Sequence, residues 1–163
     1  GNVIHEKHNN GYEIWNEYDA DSNLTHAKDS DGVEQWHEYD SKGNPTEVKL
    51  ADGAITKYYY NNKNQVMGKI ENYQISPTLP AGTEFVEIIE GASQSQSCVN
   101  NLAYPNSIVT NYVYESATDL LIRIIDTNCK KTEYVYDPLH RLKYIKDNED
   151  NILQEFDTNY RKY

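Results

Sequence analysis

Trp15 and Trp36 stand one repeat interval apart in a chain of 163 residues. Two indoles at equivalent positions of a repeated strand could stack on successive sugar rings. Glu17, Glu38 and His26 lie near them and could hydrogen-bond to sugar hydroxyls. In an antiparallel meander one strand would separate the two, placing them roughly 9.6 Å apart on one face, twice the strand spacing. The alternation partners Glu13, Glu17, Glu34 and Glu38 make that face a wet one. The plainer reading packs both indoles under another segment or against cross-strand neighbours, and the usual burial of large aromatics favours it.

Other residues with chemical potential point to structure. His5 and His26 share a column, with His8 and His37 nearby, but repetition explains the column without a metal. Asp19, Asp21 and Asn23 mimic the first ligands of a calcium loop. That motif fails at Leu24, where glycine is needed, and at Ser30, where glutamate is needed. No nucleophile elbow, phosphate loop or ordered Ser-His-Asp set can be assembled from the spacings. The expectation is a non-enzyme with no catalytic residue, metal or cofactor.

The elements that position these residues follow from a repeat. Tyr18, Tyr39 and Tyr60 recur at a constant interval of twenty-one, as do Gly11, Gly32 and Gly53, and Lys7, Lys28 and Lys49. Asn2, Asn23 and Asn44 complete the frame. Each unit reads as a β-hairpin. Asn10-Gly11, Asp31-Gly32 and Asp52-Gly53 suit two-residue turns in which both central residues take positive φ. Asp/Asn/Gly clusters after each tyrosine (Asp19 to Ser22, Asp40 to Gly43, Asn61 to Lys63) suit a longer connection. The tyrosines themselves read as the repeat's cement, aromatic rings stacked on alternate strands.

The pattern divides the chain into an N-terminal repeat block, 1–72, a non-repeat connection, 73–107, and a C-terminal repeat block, 108–163. The last block holds NYVYESATDLLIRIIDTNCK and EYVYDPLHRLKYIKDNED, in which Tyr114 and Tyr136 stand one position further apart than the earlier tyrosines. Phe156-Asp157 echoes Tyr136-Asp137. Leu121, Ile122, Ile124 and Ile125 suggest that this block carries more of the core. In the connection, Pro77, Pro80, Pro105 and the polar run Ser93 to Ser97 read as loop. TEFVEIIEG reads as a strand, because its β-branched content outweighs the helical face that Phe85, Ile88 and Ile89 could form.

Composition sets the outer limits. The net charge of -11 excludes a phosphate-backbone partner, and the 15 basic residues are scattered. Fifteen tyrosines beside two phenylalanines and one methionine, at a mean hydropathy of -0.86, describe a folded sheet with much exposed face. No apolar run is long enough for a membrane helix, and no membrane insertion is expected. Cys98 and Cys129 form one bridge if the chain is exported, or remain two free thiols. Gly1 is not a natural start, so the missing leader is uninformative.

The segments HEYDSKGNPTEVK, NEYDADSNLTHAKDSDG and EYVYDPLHRLKYIKD resemble the tyrosine-aspartate (YD) repeat of RHS proteins. Tyr39-Asp40 with Gly43-Asn44, and Tyr136-Asp137 with Arg141-Leu142, carry the likeness. It covers about two-thirds of the chain and omits the connection. The resemblance implies a bacterial secreted or cell-surface β module, because such repeats occur in large secreted or surface-attached proteins, the longest of which coil into hollow shells around a toxic enzyme. This chain has too few repeats to close a shell. The expected fold is all-β, an antiparallel meander of tandem hairpins forming an extended twisted sheet or short β-spiral, with one face covered by the connection and the C-terminal units. The expected function is binding, with a polysaccharide or cell-surface protein as partner and Trp15, Trp36, Glu17, Glu38 and His26 as the site. The alternative is a spacer, a piece of a longer RHS-type shell or stalk, whose edge strands pair with further repeats.

Overall fold

The structure, a computed structural model, describes residues 1–73, 85–93, 98–104 and 106–157. Among these, twelve strands form one sheet in chain order, each pair antiparallel. They are β1 (His5–Lys7), β2 (Glu13–Tyr18), β3 (Leu24–Asp29), β4 (Glu34–Tyr39), β5 (Pro45–Leu50) and β6 (Ile55–Tyr60). They continue as β7 (Val66–Glu71), β8 (Ile108–Tyr114), β9 (Leu121–Ile125), β10 (Lys131–Tyr136), β11 (Leu142–Lys146) and β12 (Ile152–Glu155). Among the described residues a short helix, α1 (Val99–Ala103), precedes β8. The all-β meander expected from the repeat is therefore present. The C-terminal units extend the sheet and do not fold over it.

Turn geometry departs from the two-residue expectation. Only the glycine of each Asn-Gly or Asp-Gly pair has positive φ, 86–87° at Gly11, Gly32 and Gly53. The amide of Gly11 bonds the carbonyl of His8, and His8 N–H bonds the carbonyl of Tyr12. This is a type I turn followed by a left-handed residue, which carries a hairpin on three loop residues. The tyrosine-linked turns use the same geometry, with Ser22, Gly43, Asn64 and His140 in the left-handed position. The β8–β9 turn is one residue longer, Asp119 N–H bonding the Glu115 carbonyl, which accounts for the longer step from Tyr114 to Tyr136.

The Tyr-Asp dipeptide has two separable jobs. The aspartate holds the turn. Asp40 Oδ1 accepts from the amides of Lys42 and Asn44 at 2.8 and 2.9 Å, and Oδ2 accepts from Asn44 Nδ2 at 2.9 Å. Asp19, Asp137 and Asp147 repeat the arrangement, and Asn61 mimics it. The tyrosine closes the mouth of its hairpin. Tyr39 Oη donates to the Leu24 carbonyl at 2.9 Å, just beyond the last ladder pair, His26 with Trp36. Tyr18, Tyr60 and Tyr136 donate likewise to Val3, Pro45 and Leu121, each 15 residues upstream. The tyrosine column is thus cemented by hydroxyl–carbonyl bonds, where ring stacking had been expected. Phe156 has no hydroxyl with which to continue the series.

The fourth hairpin shows where the connection enters. Tyr114 Oη donates to the Val66 carbonyl at 3.0 Å, 48 residues upstream, and Glu71 pairs with Ile108. Strands β7 and β8 are therefore an ordinary repeat hairpin in which the connection replaces the turn. Its described residues lie on the sheet. Phe85, 7% exposed, stacks on Tyr59 with ring centroids 4.5 Å apart, and a Cβ built at Gly68 would sit 2.0 Å from its ring. Gly68 holds the column of His5, His26 and Glu47, and the missing side chain is what admits the phenyl ring. Residues 85–89 form neither strand nor helix, which corrects the strand expected for TEFVEIIEG, whose Thr83 and Glu84 lie outside the described residues. Pro77, Pro80, Pro105 and Gln94 to Ser97 also lie outside them. Phe85 and Ile88 point into the sheet as isolated plugs, so no regular period governs them.

The core sits here, at β7–β9, so the C-terminal block carries much of it, as its apolar strand suggested, but only through β8 and β9. Ile70, Phe85, Tyr104 and Val109 form one cluster, and Ile88, Val113 and Ile125 another. Asn100 and Asn111, both buried, bond each other at 2.7 Å. Asn100 also clasps both backbone groups of Val86, and Asn111 donates to Asn101 Oδ1. Cys98 and Cys129 are disulfide-bonded, with Cα atoms 5.5 Å apart, tying the start of α1 to the β9–β10 turn.

Removing the hydroxyl in Tyr39→Phe should cost about 1–2 kcal/mol in chemical denaturation, since it leaves the Leu24 carbonyl short of a donor. The turn aspartates also predict a pH dependence. Asp40 is held below the usual carboxylate range by the Asn44 side chain and turn amides, Asp19 by Asn23 and Asp137 by Arg141. Their folded pKa values are depressed, so the stability they add is present above about pH 4 and is lost as pH falls through the lower folded values. Thermal melts from pH 6 to pH 2 should show that loss, and Asp40→Asn should lose less than the parent on acidification.

Candidate ligand-binding face

One sheet face carries the residues singled out by the sequence. Alternation puts Glu13, Trp15 and Glu17 of β2 on it, with His26 and Lys28 of β3 and Glu34, Trp36 and Glu38 of β4. The same face is covered at β7–β9 by the connection and open at β1–β5. Here the repeat builds the same cluster twice. His5 pairs with Trp15 across β1–β2, and His26 with Trp36 across β3–β4. In both, imidazole and indole stack, with centroids 5.2 Å apart and planes within 8°.

A glutamate and a lysine complete each cluster. His5 Nε2 lies 2.8 Å from Glu13, whose other oxygen accepts from Lys7 at 2.6 Å. His26 Nε2 lies 2.9 Å from Glu34, with Lys28 3.7 Å from that carboxylate and Glu17 3.4 Å from His26 Nδ1. The Lys7 ammonium, followed by His5, holds the Glu13 carboxyl below its usual range. In the third repeat the His–Trp position is taken by Glu47 and Lys57, an ion pair at 3.2 Å. Stack and salt bridge thus fill one slot, a cross-strand pair that holds a hairpin together.

Of the proposed site residues, the fold brings Trp36, His26 and Glu17 into one neighbourhood. Trp15 belongs to the other cluster, with His5 and Glu13. Glu38 faces Glu47 across β4–β5. The expected separation of the indoles by two strand spacings alone does not hold, because the register shears. Trp15 pairs with Lys28 and Lys28 with Glu34, so Trp36 lies two residues further along β4. Two strand spacings across and two residues along give roughly 12 Å between the backbones. Sequence reasoning missed His5, Glu13 and Glu34 as partners; the signal was present, since Glu13 and Glu34 follow His5 and His26 at the same spacing.

The chemistry open to this face is limited. Trp15 and Trp36 are 42% and 38% exposed, neither core nor free, and each gives ring surface to an imidazole. Both ring nitrogens of His26 face carboxylates, so this imidazole is already engaged on both sides. Among the described residues no group of three or more His, Cys, Asp or Glu is placed to hold a metal ion. An open groove of about 400 Å³ lies elsewhere, between the β6–β7 turn, residues 87–90 and the β8–β9 turn. None of the five proposed residues lines it, and an ion pair of Lys63 with Asp119 crosses it.

No family model matches the chain, and no curated protein matches it in sequence. Solved structures do match in fold. The crystal structure of TcdB2-TccC3-Cdc42 is similar at 18% identity and a TM-score of 0.55, over 83% of this chain and 5% of that one. The crystal structure of TcdB2-TccC3-TEV gives a TM-score of 0.57 at 18% identity, over 86% of this chain and 6% of that one. A Photorhabdus luminescens Tc holotoxin pore gives 0.56 at 18% identity, again over 86% and 6%. The likeness is one of fold, and the chain spans about one-twentieth of the chains it matches.

A double-mutant cycle on His26→Ala and Trp36→Ala should return a coupling of about 0.5–1.5 kcal/mol, the worth of a stacked cross-strand pair. Trp36→Ala alone should cost well under the roughly 3–5 kcal/mol of a core indole. A coupling near zero would remove the stack from the account of the hairpin.

Proposed function

We propose that the chain is a non-catalytic structural segment of the RHS, or YD-repeat, type, one stretch of a longer exported repeat wall. The fold likeness carries this reading: nearly the whole chain matches a small share of much longer chains, as a run of identical units should. The repeated mouth and turn bonds favour it too, since what they hold in place is the sheet itself. The partners are further strands at the edges, where β1 and β12 are exposed along their whole length. A disulfide suits an oxidising, extracellular or cell-surface setting. No helix among the described residues is long and apolar enough to cross a membrane.

Glycan binding is the second reading, favoured by the partial exposure of Trp15 and Trp36 on one wet face. Tryptophan fluorescence, which reports only these two indoles, separates the readings when titrated against a panel of polysaccharides. The structural reading expects no saturable spectral shift with any member of the panel. A saturable blue shift that disappears in Trp36→Ala, at unchanged fold by circular dichroism, would replace it with the glycan reading.

A further inference from the structure

The geometry points to a redox latch: the Cys98–Cys129 bridge keeps a cover made of residues 85–93 and 98–104 closed over the sheet, and reduction by a dithiol lets that cover lift and bare an apolar strip. The cover is attached unlike any strand. Among the described residues no backbone–backbone hydrogen bond joins the cover to a strand; those it makes are local, such as Ala92 to Ile89 and Tyr104 to Asn100. Its hold on the sheet is through side chains, chiefly Phe85, Ile88, Asn100 and Tyr104. Beneath lie Ile70, Val109, Val113 and Ile125, each 0–1% exposed. The ladder of β7 with β8, and the Tyr114–Val66 bond at its mouth, do not involve the cover.

The bridge is placed to decide whether the cover stays. Cys98 caps the start of α1, which carries Asn100 and ends at Tyr104, and it is 8% exposed. Cys129 lies on a turn, half-buried, in the left-handed position that Ser22, Gly43 and Asn64 take in sister turns. The chain has two cysteines, so no second bridge ties the cover to the sheet. Strands β1–β5, and β10–β12 among themselves, are held by ladders that do not involve it, whereas β6 carries Tyr59 against Phe85.

The chemistry balances with an external dithiol. Its thiolate attacks the Cys129 sulfur, the S–S bond breaks, and Cys98 leaves as a thiolate that takes up a proton. The reagent's second thiol then displaces the Cys129 sulfur, which is protonated in turn. Two electrons pass to the bridge, and the dithiol ends as a disulfide. A chain moving from an oxidising exterior to a reducing compartment would meet such a thiol pool and expose the strip on arrival.

The test is hydrogen exchange on the full chain, oxidised and after dithiothreitol, with an apolar dye titration alongside. Roughly tenfold or greater loss of protection over 85–93 and 98–104, a rise in dye fluorescence, and unchanged protection in β2–β5 are expected on reduction. Cys129→Ser, which puts in the turn a residue already found at Ser22, should show the same state without reductant. Unchanged exchange and no dye binding in both would overturn the latch, leaving a cover that stays shut by packing. Loss of protection along the entire sheet would overturn it too, making the bridge a staple of the whole fold.

Discussion

The structure depends on one recurring bond, a tyrosine hydroxyl donated to a carbonyl at the mouth of a hairpin. In β3–β4 the ladder is lost after His26 and Trp36, where the strands part toward different neighbours. An unpaired carbonyl there would weaken the mouth and let the register slip by a residue, turning every side chain to the wrong face. Tyr39 supplies the donor, and the next residue, Asp40, fixes the turn that starts the following hairpin. Adjacent residues thus lock two different hairpins, which is why they travel as a dipeptide. Each bond is worth only about 1 kcal/mol net, but the array needs it once per unit, as quasi-one-dimensional folds do.

The same bond explains how the chain tolerates an insertion of this size. A hairpin whose register were set by its turn could not exchange that turn for the segment between Glu71 and Ile108. Here the mouth bond of Tyr114 to Val66 remains, and β7 and β8 pair as their siblings do. Freed from closing a hairpin, the connection supplies what the repeats lack, a dry layer. The repeat positions beneath it change to receive it. Gly68 replaces the His/Glu column so that Phe85 can sit on Tyr59, and Asn111 meets Asn100 where other units carry solvated side chains.

The repeat, the strands and the paired turns per unit were legible in the sequence because each is a local pattern with a fixed interval. Gly11, Gly32 and Gly53 announced turns, although their exact class depends on φ at the preceding residue, which Asn and Asp leave open. The tyrosine column was visible, but not its chemistry, because a hydroxyl bond to a residue 15 positions upstream involves a carbonyl that every residue possesses. The candidate site was legible as a set of residue types and not as a geometry. Placing Trp15 and Trp36 requires two registers at once, and the shear between them appears only when both ladders are known. The connection was the least legible, since Phe85 and Ile88 obey the surface they cover and not a period of their own.

The distribution of burial follows from these constraints. Outside β7–β9 the strand side chains are mostly half-buried and the turns exposed, on a sheet whose cohesion comes from ladders, turn carboxylates and cross-strand pairs such as His26–Trp36 and Glu47–Lys57. Such cohesion is local and nearly additive, so a unit can vary its pair from stack to salt bridge without disturbing its neighbours. A core, by contrast, is non-local. It forms only where a segment returns to the sheet, and the single disulfide is found at that place, between α1 and the β9–β10 turn. The chain therefore has two kinds of stability: a repetitive one that needs no cover, and a concentrated one that exists only while the connection stays down. A fold divided in this way can lose the second without losing the first.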